Sequence, residues 1–197
     1  MARYTGPKWK QSRRENYDLF GDNKWRKRGT LPGVHPVQKG RPSNYSIQFR
    51  EKQKVKRMYG VLEKQFRNTY NQAIKATGNT GLRLLQLLEL RLDNVVYKMG
   101  LAKNIFQARQ FVTHGHIRVN GQKASIPSQT IKVGDEVAYS PKFTKSSVVQ
   151  VIAAENKAAK KITPKWLEHG KVAMLPSREM MDQGIREQLI IELYSRQ

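Results

Sequence analysis

Apolar positions recur at helical spacing through the middle of the chain, at strand spacing after it, and with little order before it. Residues 1–42 hold no sustained period, and Gly29, Pro32, Gly33, Pro36, Gly40 and Pro42 punctuate a loop. From a cap at Asn44 or Ser46, Val55, Tyr59, Leu62, Phe66, Tyr70 and Ile74 follow every three or four residues. That spacing predicts one long helix with a core-facing stripe, closed near Gly78. Gly60 lies inside it and weakens it by up to about 1 kcal/mol against Ala. Residues 82–90 contain six leucines in nine positions, which predicts a short helix buried on nearly all sides.

The segment 91–139 is the most regular. Leu92–Met99 reads as a short helix ended by Gly100, and Asn104 caps a second one carrying Ile105, Ala108, Phe111 and Val112 on one face, with Arg109 and Gln110 turned outward. Ile117 and Val119 alternate with His116 and Arg118, then Asn120-Gly121 marks a tight hairpin. Ile131–Val133, the turn Gly134-Asp135 and Val137–Tyr139 read as further strands. Beyond Pro141 the signal thins. Lys142–Ser147 is a basic linker, Val148–Ile152 a β-branched strand, Glu155–Lys161 a short charged helix, and Gln188–Tyr194 a terminal strand. Trp166-Leu167 and Met174-Leu175 are apolar anchors between them.

Charge changes the picture most. The 197 residues carry 37 Lys and Arg against 15 Asp and Glu, a net of +22. Residues 1–57 alone hold 16 basic and 4 acidic side chains. So large an excess repels itself in an isolated fold and calls for a polyanion. Trp9, Tyr17, Phe20, Trp25, Tyr45 and Phe49 lie scattered through this basic stretch, a composition suited to stacking on bases and ordering on RNA. No apolar run approaches the roughly 20 residues a membrane span needs, and Met1–Lys10 lacks the apolar core of a secretory signal. The absence of cysteine removes disulfides, thiol nucleophiles and thiolate metal sites. There is no phosphate-cradling glycine loop, nucleophile elbow or carboxylate pair in apolar sequence, so no enzymatic site is expected.

Arg91-Leu92-Asp93-Asn94-Val95-Val96-Tyr97, Ala108–Val112, His114-Gly115-His116-Ile117-Arg118-Val119-Asn120-Gly121 and Gly134-Asp135 resemble the RNA-binding module named after ribosomal protein S-four. Met1–Lys8, Ser12-Arg13-Arg14, Arg50–Arg67 and the ending Ile191–Ser195 extend the likeness over nearly the whole chain, to the bacterial small-subunit ribosomal protein S-four family. The resemblance implies an α+β fold: an irregular basic N-terminal extension (1–42), a helical body (43–89 and 151–197), and an inserted module of two helices and a small antiparallel sheet (90–150). It further implies early, direct binding to a junction in the 5′ domain of 16S ribosomal RNA, with ribosomal proteins five and three and messenger RNA (mRNA) as neighbours where mRNA enters the subunit, and a link to decoding accuracy. Many bacterial relatives hold zinc through cysteines in the extension. Here Trp9 and Trp25 stand in that stretch without cysteine, and His35 alone cannot make a site. No metal, cofactor, membrane or homo-oligomeric partner is expected.

The candidate RNA contacts are Arg3, Lys8, Lys10, Arg13 and Arg14 in the extension, Lys39 and Arg41 at the end of its loop, Arg50, Lys52, Lys54, Lys56 and Arg57 on the long helix, and Arg109, His114, His116, Arg118 and Lys123 in the module. Arg offers a planar fork to phosphate and Lys a point charge. His114 and His116 admit three readings: a metal pair lacking its third ligand, a protonated phosphate contact, or a turn role. Asp93 is expected to pair with Arg91 or cap its helix. An RNA-modifying enzyme built on the same module would need a catalytic domain, for which only about 50 residues remain beyond the module. A stand-alone heat-shock or ribosome-rescue factor would lack the Arg50–Arg67 helix.

Overall fold

The computed structural model describes residues 4–21, 23–34, 40–158, 163–168 and 170–195, at 157 and 158 by the backbone alone. In chain order its helices are α1 (Lys8–Glu15), α2 (Asn44–Met58), α3 (Glu63–Lys75), α4 (Thr80–Glu89), α5 (Leu92–Lys98), α6 (Ile105–Thr113), α7 (Pro141–Thr144), α8 (Ser147–Ala158) and α9 (Glu187–Ser195). The strands are β1 (Ile117–Val119), β2 (Gln122–Ala124), β3 (Val137–Tyr139), β4 (Leu167–Glu168) and β5 (Lys171–Val172). The class is α+β. The chain divides into two compact units, Met1–Gly81 with Gln183–Gln197, and Leu82–Asp182. These borders differ from those drawn at 42/43, 89/90 and 150/151 on the sequence: most of α4 and everything to Asp182 belongs to the second unit.

The first unit is helical. The extension expected to be irregular across 1–42 contains α1 and a 3-10 turn at Lys24–Lys27, both outside the loop expected at 29–42. Ser43, one residue before Asn44, caps α2, its hydroxyl accepting from the Ser46 N–H at 3.2 Å. The single long helix expected here is two. Gly60 takes φ 60°, its N–H donates to Arg57 O at 3.2 Å and the Val61 N–H to Lys56 O at 3.0 Å. This pair of bonds closes a helix end around a left-handed glycine. The stripe survives the break: Val55 and Tyr59 from α2 and Phe66 and Tyr70 from α3 are all buried, while Leu62 and Ile74 are exposed. The expected terminal strand is α9, packed on α2. Ile190, Leu193 and Tyr194 fall at helical spacing and are buried, and the Tyr194 ring stacks on Tyr70 at 4.5 Å.

In the second unit α5 and α6 pack against a three-stranded antiparallel sheet in the order β2-β1-β3. Ile117 faces Ala124 and Tyr139, so the buried residues of all three strands meet one core with Val95, Ala108, Val112, Ile131 and Trp166. Asn120 and Gly121 take φ 50° and 77°, the mirror-image turn that suits a two-residue hairpin. Ile131–Val133 is not a ladder strand; Thr130 bridges Arg91, and the Ile131 N–H donates to Leu90 O at 2.9 Å. The linker expected at Lys142–Ser147 includes α7, and the strand expected at Val148–Ile152 is part of α8. Ile152 alone of that β-branched run is buried, so one helical contact replaces a strand face. Trp166 and Leu167 are buried at the start of a small β4-β5 ribbon, whereas Met174 and Leu175 are exposed.

Candidate nucleic-acid interface

On α2 the cations are largely spoken for by acids of the same unit. Glu15, at the end of α1, has a fully buried side chain, with Arg57 Nη1 at 2.5 Å and Arg50 Nη1 at 3.3 Å. Burial pushes its carboxyl up, against the pull of Arg50, Arg57, Arg14 and Lys54. Glu63 opens α3 and draws Lys52 Nζ to 2.5 Å and Lys56 Nζ to 3.0 Å. Burial pushes Glu63 up, but the hydrogen bonds from Lys52 and Lys56 prevail and hold its carboxyl below the ordinary value. Lys54 Nζ donates to Gly184 O at 2.6 Å and pairs with Glu51 at 2.7 Å. Lys52 and Lys54 are buried, so the surface role expected of them on the sequence is replaced by an internal one. The stripe logic missed this because a lysine stem lies along apolar surface while its head reaches a partner.

The extension presents a different face. Lys8, Lys10, Arg14 and Arg41 are exposed, and Arg13 is half-buried with Nη1 donating to Thr30 O at 3.2 Å. Arg3 and Lys39, like His35, lie outside the described residues. Tyr45 is 59% exposed and stacks on Phe49 at 5.9 Å, with the Arg50 guanidinium 4.8 Å over the Phe49 ring. Exposed aromatics backed by guanidinium suit unstacked bases.

In the module, Asn104 caps α6 by accepting from the Gln107 N–H at 3.0 Å, and α6 delivers His114 and His116 to the start of β1. The hairpin sets Arg118 directly opposite Lys123. Both are exposed, neither has an acidic partner among the described residues, and like charges across a ladder repel. Lys123 also lies over Gly115, where a Cβ would strike its stem. His116 stacks on Phe143 of α7, ring centres 4.0 Å apart and planes 10° from parallel. Burial first, then His114 and Lys123, push its pKa below the ordinary value, and the stack gives the ring an internal partner. His114 is exposed beside it. Among the described residues no three His, Asp or Glu side chains converge as metal ligands. Arg109 does not turn fully outward: it is half-buried with Nη1 3.7 Å from Asp93. Asp93 is the hub of the Arg91–Asn94 sequence, taking two bonds from Arg91 at 3.1 and 2.7 Å and one from the Asn94 N–H. Asn94 in turn donates to Glu89 Oε2 at 2.6 Å. The site is the exposed edge of a hairpin whose turn is tied to the next strand: Asn120 Nδ2 donates to Asp135 Oδ1 and the Glu136 N–H to Asn120 Oδ1, both at 2.8 Å.

Two family descriptions divide most of the chain: residues 3–89 match the ribosomal protein S4/S9 N-terminal domain, and residues 90–137 the S4 domain. Full-length relatives settle which protein family joins them. The small ribosomal subunit protein uS4 of Clostridioides difficile is 49% identical, that of Acetivibrio thermocellus 48% and that of Desulforamulus reducens 46%, each over all of both chains. The chain belongs to the uS4 family. A uS4 protein is a structural constituent of the small ribosomal subunit and not an enzyme. The exposed hairpin of the S4 domain and the basic extension are therefore faces of a ribonucleoprotein component. Among the described residues of this uS4 chain no helix is long and apolar enough to cross a membrane. Sequence reasoning passed over Arg26 and Arg28 of the extension, which follow Trp25; the run Lys24-Trp25-Arg26-Lys27-Arg28, four cations around one tryptophan, was the available signal.

Proposed function

We propose that this chain binds the 5′ domain of 16S ribosomal RNA directly, at a junction of helices, and nucleates assembly of that part of the small subunit. The observation that carries the reading is the hairpin edge, where Arg118 and Lys123 face one another without an acid between them. Like charges set opposite one another repel, an anion between them relieves that repulsion, and phosphate is the anion an RNA junction supplies. The extension adds exposed Lys8, Lys10, Arg14 and Arg41, and the start of α2 the Tyr45–Phe49 stack. An RNA junction offers the unstacked bases and close-set phosphates these would meet. In the assembled subunit the chain neighbours ribosomal proteins five and three where mRNA enters, and through them bears on decoding accuracy. Its place is the ribosome of the bacterial cytoplasm or of an organelle of bacterial descent.

Filter binding tests this. A transcript of the 5′ domain is titrated across a salt series against an unrelated RNA of equal length. Preference for the 5′ domain that survives moderate salt is the expected result. Equal affinity for both would leave charge alone as the driving force and remove the primary-binding role.

A further inference from the structure

The extension contains a cleft that the hairpin reading does not use. It occupies about 590 Å³ and is lined by Arg13, Asn16, Trp25, Arg26, Arg28 and Leu31, with Gly29 and Thr30 between them. That volume lies within the range of small-molecule pockets. Among the described residues its lining holds three guanidiniums and no carboxylate. One wall is fixed by the Arg13 bond to Thr30 O at 3.2 Å. The Arg26 guanidinium sits 5.5 Å from the Trp25 ring centre, so a cation and an indole share one face. Trp25 Nε1–H is buried and donates to nothing among the described residues. Arg26 and Arg28 are exposed and have no acidic partner among them.

A cleft so lined is rich in donors and poor in acceptors, with one planar apolar wall. A phosphate alone would satisfy the guanidiniums but leave the indole and Leu31 uncovered. A nucleotide turned out of its stack answers both: its phosphate to Arg26 and Arg28, its base against Trp25 with an acceptor for the indole N–H. We propose that this cleft takes one extruded nucleotide of the bound RNA. The choice of RNA as its source rests on the function proposed above; the cleft's preference for a nucleotide does not.

The test uses the full chain, with W25A, W25F and R28Q variants, in the same filter-binding series, joined by ultraviolet crosslinking and mapping of the RNA-linked peptide. Melting curves and limited proteolysis of the first unit, which holds the cleft, report whether each variant is folded. W25A is expected to bind the 5′-domain transcript about tenfold more weakly, as the loss of one base stack predicts, with W25F between it and the parent because it keeps a ring face and loses the indole N–H. R28Q is expected to lower the salt slope by about one, and the crosslink to fall on the peptide containing Trp25. Folded W25A and R28Q that bind as the parent does, with no crosslink at Trp25, would overturn the proposal. Should W25A fail to fold, R28Q and the crosslink decide alone. If the parent fails to distinguish the 5′ domain from unrelated RNA, the ribosomal reading falls, and the cleft survives only if the variants weaken binding to both RNAs. Preserved preference without any loss in the variants sinks the cleft and leaves the ribosomal reading standing.

Discussion

Asp93 is fully buried, yet it faces Arg91 through two hydrogen bonds and Arg109 at 3.7 Å. Removing one member of such a group strands the others without water. D93A is expected to cost the second unit about 3 kcal/mol, measured by urea unfolding followed at Trp166, which that unit buries. Glu63 makes a prediction of opposite kind. Lys52 and Lys56 hold its folded carboxyl below the ordinary value, so its contribution is fully present above the unfolded value and is lost as pH falls through the folded one. Calorimetric melting of the full chain between neutral pH and about pH 3 should fall at the acid end. E63Q should melt lower at neutral pH and show a shallower acid fall. An unchanged slope in E63Q would assign the acid loss to other carboxylates.

Gly60 decides the layout of the elements around it. Within a continuous helix, G60A would add up to about 1 kcal/mol of stability. At φ 60°, closing α2 in a left-handed turn, the same substitution should destabilise by about 1 kcal/mol. The sign of the change in thermal melting separates the two geometries. The apolar stripe from Val55 to Tyr70 was legible because both helices feed one core, and the break was not, because a period of 3.6 runs on across a tight turn. In the same way Asn104, Gly115 and Asn120-Gly121 each announced a cap, a stop or a hairpin, being residues whose backbone preferences act locally. Val148–Ile152 and Gln188–Tyr194 were misread because β-branched composition argues for strand until tertiary packing overrides it, through Ile152 in the first and Ile190, Leu193 and Tyr194 in the second. Of the candidate contacts, the hairpin pair Arg118 and Lys123 could be placed from their positions beside Asn120-Gly121. The inward turn of Lys52 and Lys54 could not, since nothing in the sequence announces that Glu63 and Gly184 O receive them.

Across the whole molecule the net charge of +22 makes binding and stability answer to salt in opposite ways. Added salt screens self-repulsion in the free protein and weakens its hold on RNA. Replacing Arg118 and Lys123 together by Ala should leave the free protein within about 0.5 kcal/mol of the parent. The same change should reduce the salt slope for RNA by about two. A double variant with the parent's slope would show that the hairpin edge does not meet phosphate.

The packing of α9 on α2 joins residues separated by more than half the chain, and this sets an order in time. Residues 82–182 form a continuous unit that can close as soon as they have left the tunnel of the ribosome making them. The first unit cannot: α2, α3 and their cations are made early and must wait, with Tyr70 and Phe66 uncovered, until residues 183–197 bring Tyr194 to them. A nascent chain arrested before Gln183 should therefore resist protease across the module and yield to it throughout residues 1–81. During that interval the most basic stretch of the chain is a loose polycation surrounded by ribosomes, and the last helix to be made is the latch that ends its exposure.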